Sequence, residues 1–415
     1  MFGFLGDVGQ SIANGVHDVG QSISNGVHSA EASVGNWLGH GADASSPVTT
    51  AGASQHAEAA QPSTMWGQIG QGIGDIGRGL SQEGISGLLD PRGMMDRQQA
   101  QRDLASRFQV MPASFVGPTR DNQVSQEEFQ KIAHTFSDVR MGRGDLHVDT
   151  SSFDGANAKA DAARYRTGAM DDIANMMMTS SGRNQINNLS NNVKQDDAGN
   201  AQHTGLFGAG TSWFGPEVHH QTNIVPLFGA NGGVDAQGNT IWNDPGAGHH
   251  DWSTMRTDNG YADAVDTTNM QRTASGARGT GTDVNIRFNP EANNIAGTGA
   301  RSDVILAHEM QHTLHETQGT MASGTQTTGP DTGTQNWERQ AVGLTRTDRT
   351  PTGGHYPGDP DGCTENTYRQ QRNDLGLGER WLPREAYATL PGQAADDATL
   401  QAAWARHNAS GNAAP

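Results

Sequence analysis

The sequence predicts an α+β domain over residues 146–392, behind a Gly-rich N-terminal region that is mainly helical or weakly ordered. Three observations lead there. Apolar residues recur at helical spacing in 157–178 and 303–316, runs of strand type broken by Gly and Asn lie between them, and glycine interrupts the helical patterns before residue 90.

Composition bounds the reading. At 415 residues the chain has room for more than one domain, since single domains usually run to roughly 100–200 residues. With 55 Gly, 33% hydrophobic and 6% aromatic residues, it is too thinly apolar to bury all of itself, so part reads as linker. A formal charge of -18 excludes nucleic acid as a partner, because a phosphate backbone needs a concentrated Lys/Arg surface. Cys363 stands alone, which excludes an intramolecular disulfide and a Cys-based zinc ribbon. Any metal must be held by His, Asp or Glu.

The elements follow in chain order. "DVGQSIANGVH" at 7–17 repeats at once as "DVGQSISNGVH" at 18–28, and Val8, Ile12, Val16, Val19, Ile23 and Val27 form a stripe on a helix close to 3.67 residues per turn. Residues 1–40 are therefore read as an amphipathic segment of eleven-residue repeats. Gly9, Gly15, Gly20 and Gly26 each weaken an isolated helix by about 1 kcal/mol relative to Ala. Two readings stay open: a helix that forms against a membrane or a partner helix, and a weakly helical tail. Residues 41–64 are small, polar and aperiodic, hence a linker. In 65–89, Trp66, Ile69, Ile73, Ile76 and Leu80 carry the same two readings, so membrane or partner-helix contact is assigned to 1–40 and 65–90. Residues 65–145 are read as a Gly-rich, helical region carrying a delivery signal. The start lacks a basic stretch followed by a compact apolar core, and no run of about 18 apolar residues occurs anywhere. The expectation is a protein that is cytoplasmic in the producing cell and then secreted or injected without a cleavable signal peptide.

Ser125 with Glu128 forms a capping box that opens a helix through about Phe136. A helical run at 157–178, with Met176 to Met178 as core, precedes a second one near 183–193. Strands are expected at 222–228, 239–244 and 283–290. The twin histidines His219-His220 and His249-His250 are not read as ligands, since adjacent side chains on a loop or strand diverge. Residues 393–415 read as a flexible tail.

The chemistry concentrates in "LAHEMQHTLHE", 306–316. Ser302 or Asp303 is the expected cap of this helix, and Val304, Ala307, Met310 and Leu314 mark its buried side. His308 and His312 lie one turn apart, close enough for both imidazoles to reach one divalent ion, with Glu309 beside it. His315 lies about 10 Å along the axis from His308 and is not expected to share that ion. Position 315 is His rather than Gly and Gln318 replaces a third His, which disfavours a three-histidine site. A carboxylate must complete the set. Glu338, on the acidic helix "NWERQAVGL", is the preferred third ligand, with Asp331, His355 and Glu365 as rivals. An open fourth position would hold a water whose pKa zinc lowers to about 7, and Glu309 would take its proton and pass it to the leaving amine. Tyr387, Arg384 and His355 are candidates to hold the oxyanion, Tyr387 first among them.

The ordered pieces "DIANMMMTSSGRNQINNL" (171–189), "TDVNIRFNP" (282–290), "SDVILAHEMQH" (302–312), "NWERQAVGL" (336–344) and "TENTYRQQRNDLGLGERWLPREAY" (364–387) resemble the NleD-like family of effector zinc metalloproteases, found among proteins that bacteria inject into host cells. The resemblance covers about residues 150–390. It implies a compact zincin-like domain, bound Zn2+ and endopeptidase activity of an effector or toxin on a protein in the target cell. His308, Glu309 and His312 match its metal and catalytic positions. Glu338 matches its acidic helix, where Trp337 replaces a frequent paired acid, and Glu365, Asn366, Arg369, Arg384 and Tyr387 match a C-terminal block that implies an active-site wall. Residues before about 145 have no counterpart, and the repeats are read as a signal for a secretion apparatus or its loading factor. The competing reading is a secretion-associated interaction or translocation protein whose HExxH helix is not catalytic.

Overall fold

The computed structural model describes residues 91–196, 201–202, 204–205, 208–209, 217–234, 240–256, 260–272, 277–292, 301–344, 363–377, 380–387 and 393–409. The repeats, the 41–64 linker, the 65–90 segment and His355 lie outside them. All described residues belong to one unit, Thr64–Pro415, in which helices and strands mix in an α+β arrangement.

Helix α1 (Pro91–Leu104) packs along α2 (Gln126–Met141), and Arg140 ties the two by ion pairs to Asp96 (3.0 Å) and Asp103 (2.7 Å). Ser125 caps α2 by accepting the Glu128 N–H at 3.1 Å, as its spacing predicts, but the helix runs past Phe136 to Met141. It stops at Gly142, whose N–H reaches Val139 O while that of Arg143 reaches Asp138 O. Two short strands, β1 (Gln109–Met111) and β2 (Gln123–Ser125), pair in parallel between these helices. Both helices join the same core as the rest of the domain through Leu104, Phe129, Ile132 and Phe136, so the packed unit begins well before residue 146.

Helix α3 (Ala158–Met177) turns directly into α4 (Ser180–Ser190). The turn is this tight because Gly182 has no side chain: a Cβ there would lie 2.1 Å from Met176 O. Met176, Met177 and Met178 are all buried in the core. The central sheet orders its strands as β3 (Leu146–Val148), β6 (Thr222–Pro226), β10 (Val284–Phe288) and β9 (Tyr261–Ala264), the first three parallel and β9 antiparallel at the edge. Smaller hairpins, β4 (Thr204–Gly205) with β5 (Gly208–Ala209) and β7 (Ala230–Val234) with β8 (Thr240–Asn243), stand apart from it. Burial alternates along β6 and β10, so one face carries Ile224, Val284, Ile286 and Phe288 into the core while Asn223, Asn285 and Arg287 line the other.

Helix α5 (Ser302–Gln318) touches α3, α4, β9, β10, α6 (Asn336–Val342) and α7 (Glu365–Asp374). The sequence suggests one buried side, yet every residue of α5 except His308 and Gln318 is buried. Its polar residues are paired instead of solvated. Neither Ser302 nor Asp303 caps it; the helix starts one residue earlier than expected, after Arg301, because those side chains are committed inward. Ser302 Oγ donates to Asp172 at 2.9 Å, and Asp303 accepts from Tyr368 OH (2.7 Å) and Arg372 Nε (2.6 Å). The helix closes at Gly319, at φ 64, where a Cβ would lie 2.3 Å from Gly279 O.

The expectation of a flexible tail from 393 is corrected. Helix α8 (Asp397–His407) is capped by Asp396, buries Leu400, Ala403, Trp404 and His407, and is anchored by the Trp404 indole N–H, which donates to Trp381 O at 3.3 Å. Its apolar residues fall at spacings of three and four, a helical stripe that finds a partner surface.

Candidate metal centre

The one part-exposed position in the interior of α5 opens into a cavity of about 250 Å³, lined by His308, Glu309 and His312 from α5, Trp337 and Glu338 from α6, and Gly260 to Ala262 from the edge strand. His308 Nε2 and His312 Nε2 are 3.1 Å apart, and Glu338 Oε2 lies 3.4 Å from the first and 3.3 Å from the second. Among the described residues, His308, His312 and Glu338 are the ones whose donor atoms cluster as a metal site would need.

The donor set can be tested for fit. Zinc binds His nitrogen and carboxylate oxygen at about 2.0–2.2 Å in a tetrahedron, which puts ligand atoms roughly 3.3 Å from one another. The observed 3.1–3.4 Å separations agree with that edge length. His308 Nδ1 is 2.7 Å from Glu365 Oε2, so the ring donates from Nδ1 and leaves Nε2 as the lone-pair side facing the cluster. Electrostatics favour a cation here. Burial alone would lower the His308 pKa, but hydrogen bonds to Glu338 and Glu365 outweigh it and hold it up at about 10. Burial likewise works to raise Glu338, and the two histidines overcome it and pull the carboxylate well below its usual range. The second proton of the His308 cation sits on Nε2 facing Glu338, and a divalent ion would take that proton's place while Glu365 keeps its bond to Nδ1.

Two of the three rivals for the third position, Asp331 and Glu365, have another place, while His355 lies outside the described residues. Asp331 is buried in an ion pair with Arg339, on the same short helix as Glu338, and so fixes that helix instead of ligating. Glu365 sits behind His308. It is buried and held by Arg369 Nε (2.7 Å) and Arg384 (3.2 Å), and although burial opposes ionisation, these guanidiniums keep its carboxyl well below the usual range. His315 points away from the cluster: Nε2 meets Gln311 Nε2 at 3.0 Å and Nδ1 meets Thr320 Oγ1 at 3.0 Å, with Gln340 of α6 at 3.3 Å. That makes it a buried link between the two helices that carry the cluster. The twin histidines are occupied elsewhere, His219 with Asp145 and His250 with Asp154 and Asp244.

Glu309 faces the cavity, and its Oε2 accepts the Ala262 N–H of β9 at 2.9 Å. Burial, followed by the nearby Glu338, raises its pKa against the pull of His308 and His312. The register of β9 on β10 and the Val265 N–H to Asp283 O bond turn the peptide groups of Ala262 and Ala264 outward from the sheet. Tyr387 and Arg384 also line the cavity. The Arg384 guanidinium lies over the Tyr387 ring at 4.4 Å and donates to Tyr387 O at 2.6 Å, while Asn366 grips the Arg384 peptide group from both sides at 2.9 Å. Burial, reinforced by Glu338, raises the Tyr387 pKa and keeps its hydroxyl protonated. Sequence spacing offered no sign of the Glu365 role, since it cannot say which ring nitrogen of His308 a carboxylate will face.

No curated protein matches the chain. A sequence profile of the peptidase M91 family, described as an effector protein, matches residues 154–380, a span that contains the cluster, the edge strand and the Glu365 helix. Over half the chain is covered, and the protein belongs to this family of effector peptidases.

Proposed function

We propose that this chain is a zinc-dependent endopeptidase, a secreted or injected effector that cleaves a protein in the target cell. The observation that carries it is the cluster of two facing imidazole nitrogens and one carboxylate oxygen, 3.1–3.4 Å apart, at the mouth of a cavity holding Glu309. His308, His312 and Glu338 would hold the ion. Zinc, when bound, supplies a Lewis acid and lowers the pKa of its water to about 7. The remaining chemistry belongs to the chain. Glu309, with its raised pKa, takes a proton from the attacking water and returns it to the leaving amine. Tyr387, kept protonated, donates to the oxygen that gains negative charge. An extended peptide can pair with the outward groups of Ala264 on β9, an edge made available because β9 ends the sheet.

Elemental analysis tests the ion directly. Purified wild-type chain should carry one zinc, and the His308→Ala/His312→Ala double variant none; wild-type protein that takes up no metal after zinc supplementation would sink the proposal. A second expected result concerns Glu365. Glu365→Gln should weaken zinc binding by roughly 10–100-fold in a chelator competition titration, the usual effect of removing the partner of a metal-bound histidine. An unchanged affinity would reduce Glu365 to a packing role.

A further inference from the structure

One acid in the cavity has no part in the chemistry above. Glu316 follows His308 and His312 at the same four-residue interval, which sets it on their side of α5, about 6 Å along the axis beyond His312. It lines the same cavity, is only 3% exposed, and its Oε2 is buried with no hydrogen-bond partner among the described residues. A buried carboxylate oxygen left unpartnered is costly, and such groups call for a reason. Among the described residues no guanidinium on the cavity wall is turned to it. Arg369 and Arg384, the guanidiniums on the cavity wall, are turned to Glu365. The ionisable groups acting on Glu316 besides its burial include His312 and the carboxylates of Glu309, Glu338 and Asp263, the last also paired with Arg287 at 3.0 Å, so acids outnumber bases among them. Met321, 4% exposed, lines the same cavity and gives it an apolar stretch of wall.

An apolar wall leading to a buried acid suits a long side chain with a methylene stem and a cationic head. We infer that Glu316 is the floor of a specificity pocket that accepts a Lys or Arg side chain of the protein substrate close to the scissile bond. The inference rests on the endopeptidase reading and adds the substrate's chemistry to it. Neutral and acidic side chains leave Glu316 unpaired or repelled, so discrimination comes from the cost of the wrong occupant as well as from the ion pair with the right one.

The test uses the zinc-loaded full chain on a proteome-derived peptide library, with cut sites read by mass spectrometry. A basic residue should be enriched at one position flanking the cut. For a peptide from that set, replacing the basic residue by norleucine should lower kcat/KM by about tenfold or more in the wild type, and in Glu316→Gln the ratio of the two peptides should fall towards one. Equal zinc content in the two proteins checks that the site is intact. If Glu316→Gln loses zinc, the wild-type ratio and the Glu316→Asp variant, which keeps the charge, decide the matter. Cut sites with no basic enrichment, or a Lys-to-norleucine ratio that Glu316→Gln leaves unchanged, overturn the pocket while leaving the peptidase standing. No cuts at all by zinc-loaded wild type would remove the peptidase reading and the pocket with it.

Discussion

Glu309→Gln is expected to keep the fold and the zinc and to lower peptide-bond cleavage by about 10²–10⁴-fold, the usual worth of a positioned general base. The fold survives because Gln keeps a carbonyl oxygen where the Ala262 N–H now meets Glu309 at 2.9 Å. Zinc survives because the cluster consists of His308, His312 and Glu338. Only the proton acceptor is lost. The measurement is kcat/KM on a cleaved peptide, with metal content and melting temperature taken on the same preparation. The competing reading, in which the helix is not catalytic, predicts that Glu309→Gln changes no phenotype. Equal cleavage by the two proteins would show that Glu309 is not the base.

The largest expected loss of stability lies at the start of the same helix. Asp303, 1% exposed, holds Tyr368 and Arg372 of α7 at 2.7 and 2.6 Å. Asp303→Ala strands a buried guanidinium that is itself 5% exposed, and removing one partner of such a pair costs about 3–5 kcal/mol. The melting temperature should fall on the order of 10 °C. Tyr368→Phe serves as the comparison, since it removes one hydrogen bond and no charge and should cost about 1 kcal/mol. A drop in Asp303→Ala no larger than that in Tyr368→Phe would mean that the charge finds water. Because Asp303 precedes His308 by little more than one turn, a partial loss of zinc should accompany the loss of stability.

Some of this was legible in the residues and some was not. The positions of His308, Glu309 and His312 follow from helical geometry alone, because residues four apart share a face whatever surrounds the helix. The strands at 222–228 and 283–290 were readable from their apolar runs, and they appear as the parallel pair at the centre of the sheet. Glu338 required that two distant helices meet, which local periodicity cannot establish; its helix is fixed by Asp331 with Arg339 and by the Gln340 to His315 contact. The all-round burial of α5 was hidden for a related reason. Its polar residues look solvent-facing in one dimension and become interior only because partners such as Gln185, Tyr368 and Arg372 arrive from elsewhere in the chain. Gln185 Nε2 lies within hydrogen-bonding distance of Ala307 O, Cys363 O and Gln311 Oε1, a convergence of three segments that no spacing announces. Glu316 is the next member of the same four-residue series, but spacing alone gave it no role, because its burial and its missing partner among the described residues appear only in the fold.

The clustered donors come from α5 and α6, on either side of the 319–335 segment, so an ion bound by all three grips the native chain and has no equivalent grip on an unfolded one. Mass action then couples metal supply to folding: free zinc at about a thousand times its Kd adds about 4 kcal/mol to stability. On the zinc reading, the same polypeptide would have two mechanical states set by its surroundings. Without zinc it would be the softer form, easier to unfold, and with zinc bound it would lock and become the harder target for the proteases that clear unfolded protein.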